Sequence, residues 1–230
     1  MTKTFKNTFL KIKSFIRKVD IKKRLFELFV FPFYLITHPL KGYEEFKLEK
    51  KGKMWVAITY ILLMILSMTL KQTSAGFLVS TPSITRVSIL KTALFVIVPV
   101  CLIALGNWAI TTLFDGKGHI KEIFIMLGYS LAPYVWLSIP MIGVSNFLIA
   151  EELQIYHVVL NIGIFGIVYL AFFGFLVLHE FGLFKNIVTL IATLIAIMVI
   201  LFVGLLVLSL LQQIYGFLEQ VYKEYIMRTS

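Results

Sequence analysis

The apolar positions of this chain fall into an ordered series: a short interrupted run, then five long ones separated by brief polar turns. The long runs cover about 54–70, 92–114, 122–149, 157–178 and 187–211. Each is long enough to cross a hydrocarbon core of about 30 Å at a rise of about 1.5 Å per residue. The fourth can extend to Leu183, since only His179 and Glu180 interrupt it. The fifth lies in an uncharged stretch, 186–218, longer than a crossing needs, so the chain is expected to leave the core near Gln212, Gln213 and Tyr215.

Upstream the pattern changes. Phe5, Phe9, Ile12, Ile16 and Val19 recur at helical spacing, and Lys6, Lys13, Arg17 and Arg24 fall off that stripe. This predicts a basic amphipathic helix over residues 1 to about 24, lying on a membrane surface. "LFELFVFPFYLITHPL", residues 25–40, is too short to span and is interrupted by Glu27 and Pro32, which suits an interfacial or re-entrant piece. "KGYEEFKLEKKGK", residues 41–53, reads as a solvated charged connector. The expected fold is therefore all-α: a polytopic integral membrane bundle of about five transmembrane helices behind a basic amphipathic N-terminal helix. Its expected divisions are an N-terminal segment 1–53, a transmembrane domain 54–212 and a short polar tail 213–230.

Composition agrees with that pattern. A mean hydropathy of +0.91 with 59% hydrophobic residues excludes an ordinary soluble domain. The net charge of +10 is uneven, because 14 of the 22 Lys and Arg lie in the first 53 residues. Such a cluster beside a membrane favours anionic lipids over nucleic acid as its partner. Segments 1–53, 115–121 and 179–186 together hold 17 of the 22, which predicts a cell-membrane protein with a cytoplasmic N-terminus and an external C-terminus. No small-residue cleavage site follows the first apolar run, so the first span is expected to serve as the insertion signal. Cys101 is the single cysteine and makes neither a disulfide nor a metal site by itself.

Candidate chemistry is sparse, and no catalytic residue, metal or cofactor is expected. "EELQIYH", 151–157, pairs glutamates with a histidine, but Glu152 and His157 are five apart and do not align on a helix. His179–Glu180 lacks the second histidine of a zinc-protease motif. Both sets read as polar caps at the membrane interface. "DGKGHIK", 115–121, lacks the spacing of a phosphate-binding loop. It reads as a tight, wet turn, with Gly116 and Gly118 supplying positive φ beside Lys117 and Asp115 capping. Inside the spans, Asn107 and Asn161 are candidates for hydrogen bonds between helices. Gly163, Gly166 and Gly174 fall within an arc of about 80° on the fourth span, a face that admits another helix, internal or foreign.

The third span holds "GYSLAPYVWLSIPMIG", 128–143. Pro133 and Pro140 are seven apart and share a helix face. Each removes an amide donor and displaces a carbonyl one turn back, those of Tyr129 and Trp136. Ser130 and Ser138 are hydroxyls placed to compensate. Such a face must be buried in protein or lined by water, so the span is either a kinked helix packed in the bundle or a broken helix lining a groove.

The "GKG" turn, the following "LGYSLAPY" and the "HPLKGYEEFKLEKKGK" lead-in, together with the five spans, resemble the Yip domain family (Ypt/Rab-interacting membrane proteins) over roughly residues 35–212. The resemblance implies importance for Gly116, Lys117, Gly118, Gly128, Tyr129 and Pro133, and it transfers no catalytic residue. Eukaryotic members bind small GTPases through an acidic N-terminal region, whereas this N-terminus is short and basic. The chain is more similar to bacterial members, whose genes often lie beside ABC exporters. The resemblance thus implies an accessory membrane protein that is not an enzyme and that helps assemble or regulate a partner complex such as an ABC-type exporter giving resistance to toxic peptides. The residues leave two other functions open: a groove that moves a small or lipid-like molecule, and membrane shaping by the N-terminal helix.

Overall fold

The computed structural model describes residues 24–79 and 88–229, so the amphipathic helix expected over 1 to about 24 lies outside the described residues but for Arg24. Among those residues every regular element is helical. A π-helical turn, Phe26–Val30, runs without a break into α1, Phe31–Thr37, so Pro32 removes an amide donor inside continuous helix, and the Leu28 carbonyl one turn back accepts from the Tyr60 hydroxyl instead. After a break at His38 comes α2, Pro39–Leu48. The long helices are α3, Met54–Ser74, and α4, Ile89–Leu113. They are followed by the pair α5, Ile120–Ser130, and α6, Ala132–Val144. A 3-10 turn, Ala150–Glu152, leads into α7, Leu153–His179, and α8 is Leu183–Thr229. With α5 and α6 counted together, five spans are long and apolar enough to cross a membrane, at the places the apolar runs indicate.

Polar contacts sort the connections to two ends of the bundle. At one end Glu180 joins Lys47 of α2 and Lys117 of the α4–α5 turn. Lys47, Lys117 and Glu180 belong to the three sequence segments, 1–53, 115–121 and 179–186, that together hold most of the basic residues. At the other end the Gly76 amide donates to Ser145 Oγ, Asn146 Nδ2 donates to the Ser74 carbonyl, and Lys71 lies over the Tyr156 ring. The chain therefore alternates ends with each span.

Not every expectation holds in the same form. The 41–53 segment is not a solvated connector: most of it is α2, and its Tyr43 and Phe46 are buried against α7 and the α5 motif. Charge on its outer face hides an i, i+3, i+4 inner stripe of Tyr43, Phe46 and Lys47. Of the two forms open to the third span, the broken helix is the one observed: it is two helices, α5 and α6. Leu131 closes α5 with a short-range bond to the Gly128 carbonyl, and Pro133 then lies in the first turn of α6, where its missing N–H is harmless. Ser130 and Ser138 bond the carbonyls of Met126 and Val135, not those of Tyr129 and Trp136. The last helix continues past Gln212. α8 has 47 residues, about 70 Å of continuous helix. It carries no proline, and the i,i+4 pairs Lys223–Glu219 and Arg228–Glu224 support its far end.

α5 is the most enclosed part of the fold, with every residue from Ile125 to Ser130 buried. It packs on α3, α4 and α7. Gly128 makes the α3 contact possible, since a Cβ there would meet the Ala57 Cα at 2.7 Å and its carbonyl oxygen at 3.0 Å. Those atoms are backbone and cannot swing away. Gly128→Val is expected to lower stability by about 2–3 kcal/mol through overpacking, read as a fall in thermal midpoint of the purified full chain in detergent. An unchanged midpoint would mean that α3 and α5 do not approach this closely.

Candidate functional site: a polar knot and an aromatic cluster at one end of the bundle

The sequence-selected residues converge on two adjoining clusters. The first is built on the C-terminus of α7. The chain there makes a Schellman-type end, with the Phe181 amide on the Leu176 carbonyl and the Glu180 amide on that of Val177. Glu180 takes the left-handed position, φ 56°, where glycine is usual. Its side chain offsets that cost. One carboxylate oxygen accepts from Lys47 Nζ at 2.8 Å and the other from Lys117 Nζ at 2.6 Å. Lys47 also donates to the Leu178 carbonyl, an orphan of the helix end. The two lysines hold the Glu180 carboxyl down to about 2, Lys117 being the larger influence.

His179, one residue earlier, is buried and flat against Phe175 and Phe181. Its Nδ1 accepts from the Gly118 amide at 3.3 Å, and its Nε2 lies 2.9 Å from Asn107 Oδ1. An acceptor at Nδ1 fixes the tautomer: the proton sits on Nε2 and is donated to Asn107. Asn107 Nδ2 then donates to Thr193 Oγ1 of α8 at 3.2 Å, and Thr193 donates to the Thr189 carbonyl. One neutral ring thus ties α4, the α4–α5 turn, α7 and α8.

The glycines of the turn act here, but not through positive φ. Neither Gly116 nor Gly118 has it; Asp115 does, at 56°. A Cβ on Gly116 would stand 2.7 Å from His179 Nδ1, and one on Gly118 2.7 Å from Cε1. The glycines let the backbone lie against the ring, and Lys117 between them reaches Glu180. His179 is therefore not an interfacial cap. Its burial was hidden because an acid at i+1 and the glycine Gly182 surround it with surface-like neighbours.

The second cluster surrounds Tyr129. Its hydroxyl accepts from the Lys53 amide, an unpaired donor at the start of α3. Phe31 and Phe46 meet its ring edge-on at 5.9 and 5.5 Å. The α7 glycine face has an internal partner. A Cβ at Gly166 would meet Pro133 at 2.7 Å, one at Gly163 the Tyr134 Cα at 3.0 Å, and one at Gly174 the Met126 sulfur and the Tyr43 ring. Pro133 is buried in that contact, whereas Pro140 is exposed on an apolar groove. Asn161 is exposed on α7 and joins no helix to another among the described residues. Of the two asparagines only Asn107 performs the expected role. Among the described residues no group of three or more His, Cys, Asp or Glu is placed to hold a metal.

The Glu180 bridge has a pH signature. A depressed carboxyl contributes stability above its unfolded value, about 4.5, which is lost as pH falls toward about 2. The thermal midpoint of the wild-type chain should therefore drop between about pH 5 and pH 3 by more than that of Glu180→Gln, in matched detergent melts. Parallel curves would show that the two lysine contacts do not persist in solution.

These clusters are carried by segments that a family comparison covers as one unit. The Yip1 domain family model matches residues 33–211, from within α1 to within α8. No match is found among curated proteins or among solved structures. The match covers most of the chain and includes the knot, Tyr129 with Phe46, the glycine turn, the first four spans and the first part of the fifth, and on that basis the chain belongs to the Yip1 domain family and is a multi-pass membrane protein.

Proposed function

We propose that this chain is a non-catalytic accessory protein of the cell membrane that docks laterally on a partner membrane complex and helps assemble or regulate it. An ABC-type exporter is the partner class we favour, with the N-terminus cytoplasmic and the C-terminus external. The observation that carries this reading is α8. Only its first third is held by the bundle, through Asn186, Thr189 and Thr193, which are buried. From Met198 to Leu211 its residues are exposed on every face. The bundle thus presents a long helix whose sides are available to another protein within the membrane.

The interior chemistry supports an accessory role over transport by the bundle itself. Within the described spans the Asp, Glu, Lys, Arg and His side chains lie near the ends, and His179 is committed to the knot. A proton or ion relay across the core would need titratable groups along its length.

Gly204 offers a test that spares the fold, because a Cβ there meets nothing within 4 Å. After crosslinking in native membranes and affinity capture of the full chain, subunits of a membrane complex should co-purify. Gly204→Trp should reduce that recovery about tenfold by disturbing close helix packing, with the thermal midpoint of the chain unchanged. Recovery of the chain alone, or recovery indifferent to the tryptophan, would contradict docking through α8.

A further inference from the structure

An apolar groove of about 620 Å³ lies between the N-terminal helical segment, α3 and α6. Its volume is in the range of small-molecule sites, roughly 300–1,000 Å³. Phe29 and Phe33 form its outer lip, half or more exposed, and both stack on Trp136 at 6.4 Å. Tyr60 and Leu63 form the α3 wall and Pro140 the α6 wall. The Tyr60 hydroxyl is already spent on the Leu28 carbonyl. The trough therefore offers an occupant almost nothing but hydrocarbon and aromatic surface.

A cation stands at one end. Arg24 precedes the groove residue Leu28 by one helical turn, and its guanidinium lies over the Trp55 ring at 5.6 Å. A guanidinium held over a ring face still has N–H donors to offer a phosphate. Arg24 is exposed and forms no ion pair among the described residues, and Glu27, the acid of this stretch, is not bridged to it. Trp55 lies in the first turn of α3, directly after Lys50, Lys51 and Lys53, at the charged boundary of the span. From Trp55 to Leu63 the α3 wall runs about 12 Å inward along the helix. The arrangement is a cation at the boundary with an apolar trough leading from it into the span.

From this geometry we propose that the groove is a binding site for an anionic phospholipid, with its headgroup phosphate on Arg24 and an acyl chain in the trough between Phe33, Leu63 and Trp136. An extended polypeptide is disfavoured by the walls, since its backbone N–H and C=O groups would find no partners there. An acyl chain brings no such demand, and the bilayer supplies it at high concentration. The site is independent of α8 and stands whether or not a partner complex docks there.

Native mass spectrometry of the full chain in detergent, with phosphatidylglycerol and phosphatidylcholine added at equal mole fraction, reads the site directly. The wild type should retain phosphatidylglycerol preferentially. Arg24→Gln should lower that preference about fivefold while still retaining lipid, as expected for one basic residue near an anionic headgroup. Leu63→Trp, which fills the trough, should reduce retention of both lipids. Quenching of tryptophan fluorescence by lipids brominated on the acyl chain supplies a second measurement on the unaltered groove. In a Trp108→Phe background, brominated phosphatidylglycerol should quench more strongly than brominated phosphatidylcholine. Equal retention and equal quenching by the two lipids, a preference unmoved by Arg24→Gln, or retention unmoved by Leu63→Trp would each overturn the proposal.

Discussion

A buried, neutral imidazole holds one end of this bundle together. Lipid gives no hydrogen bonds to exposed polar groups, so polar side chains near the core must be satisfied within the protein. His179 meets that demand by accepting from one backbone amide and donating to one side-chain amide, which in turn donates to a hydroxyl on a fourth segment. The directionality is complete: reversing any member would set donor against donor or acceptor against acceptor. That chain fixes where the α4–α5 turn lies, and hence where α5 enters the bundle. The position of α5 then determines the Gly128 contact with Ala57 and the Tyr129 contact with the start of α3.

The Yip-type motifs acquire a physical reading in this arrangement. The two glycines of the turn are surfaces for a ring rather than hinges, and the lysine between them closes the end of α7. In "GYSLAPY", Gly128 admits a neighbouring helix, Tyr129 caps another, and Pro133 begins a new helix instead of bending an old one. Tyr43 and Phe46 of the lead-in segment fill the space between these clusters.

Some of this was legible in the sequence and some was not. The five spans were, because apolar runs of such length have few other homes. The alternation of ends was also legible, since basic residues concentrate in the segments that Lys47, Lys117 and Glu180 join. The importance of Gly116, Gly118, Gly128 and Tyr129 came from resemblance, but its cause did not. Positive φ is the usual reason for a glycine in a turn, and here close approach to His179 replaces it. α2 was missed because its charged outer face masks a short buried stripe. His179 was missed because a histidine beside an acid at a span end looks like a surface pair. No local pattern reveals that a distant Asn107 and Gly118 will meet it. Asn161 shows the converse, a polar residue in an apolar run that simply faces outward.

The claim that the knot organises the bundle is tested most directly by a double-mutant cycle between Asn107 and His179, using Asn107→Leu and His179→Phe in full-length protein. Each single change leaves a buried partner unsatisfied and should cost about 1–3 kcal/mol in unfolding free energy. The double change removes both polar partners and should cost less than the sum of the singles by about 1 kcal/mol or more. Additive costs would show that the two residues are not coupled and would contradict the account.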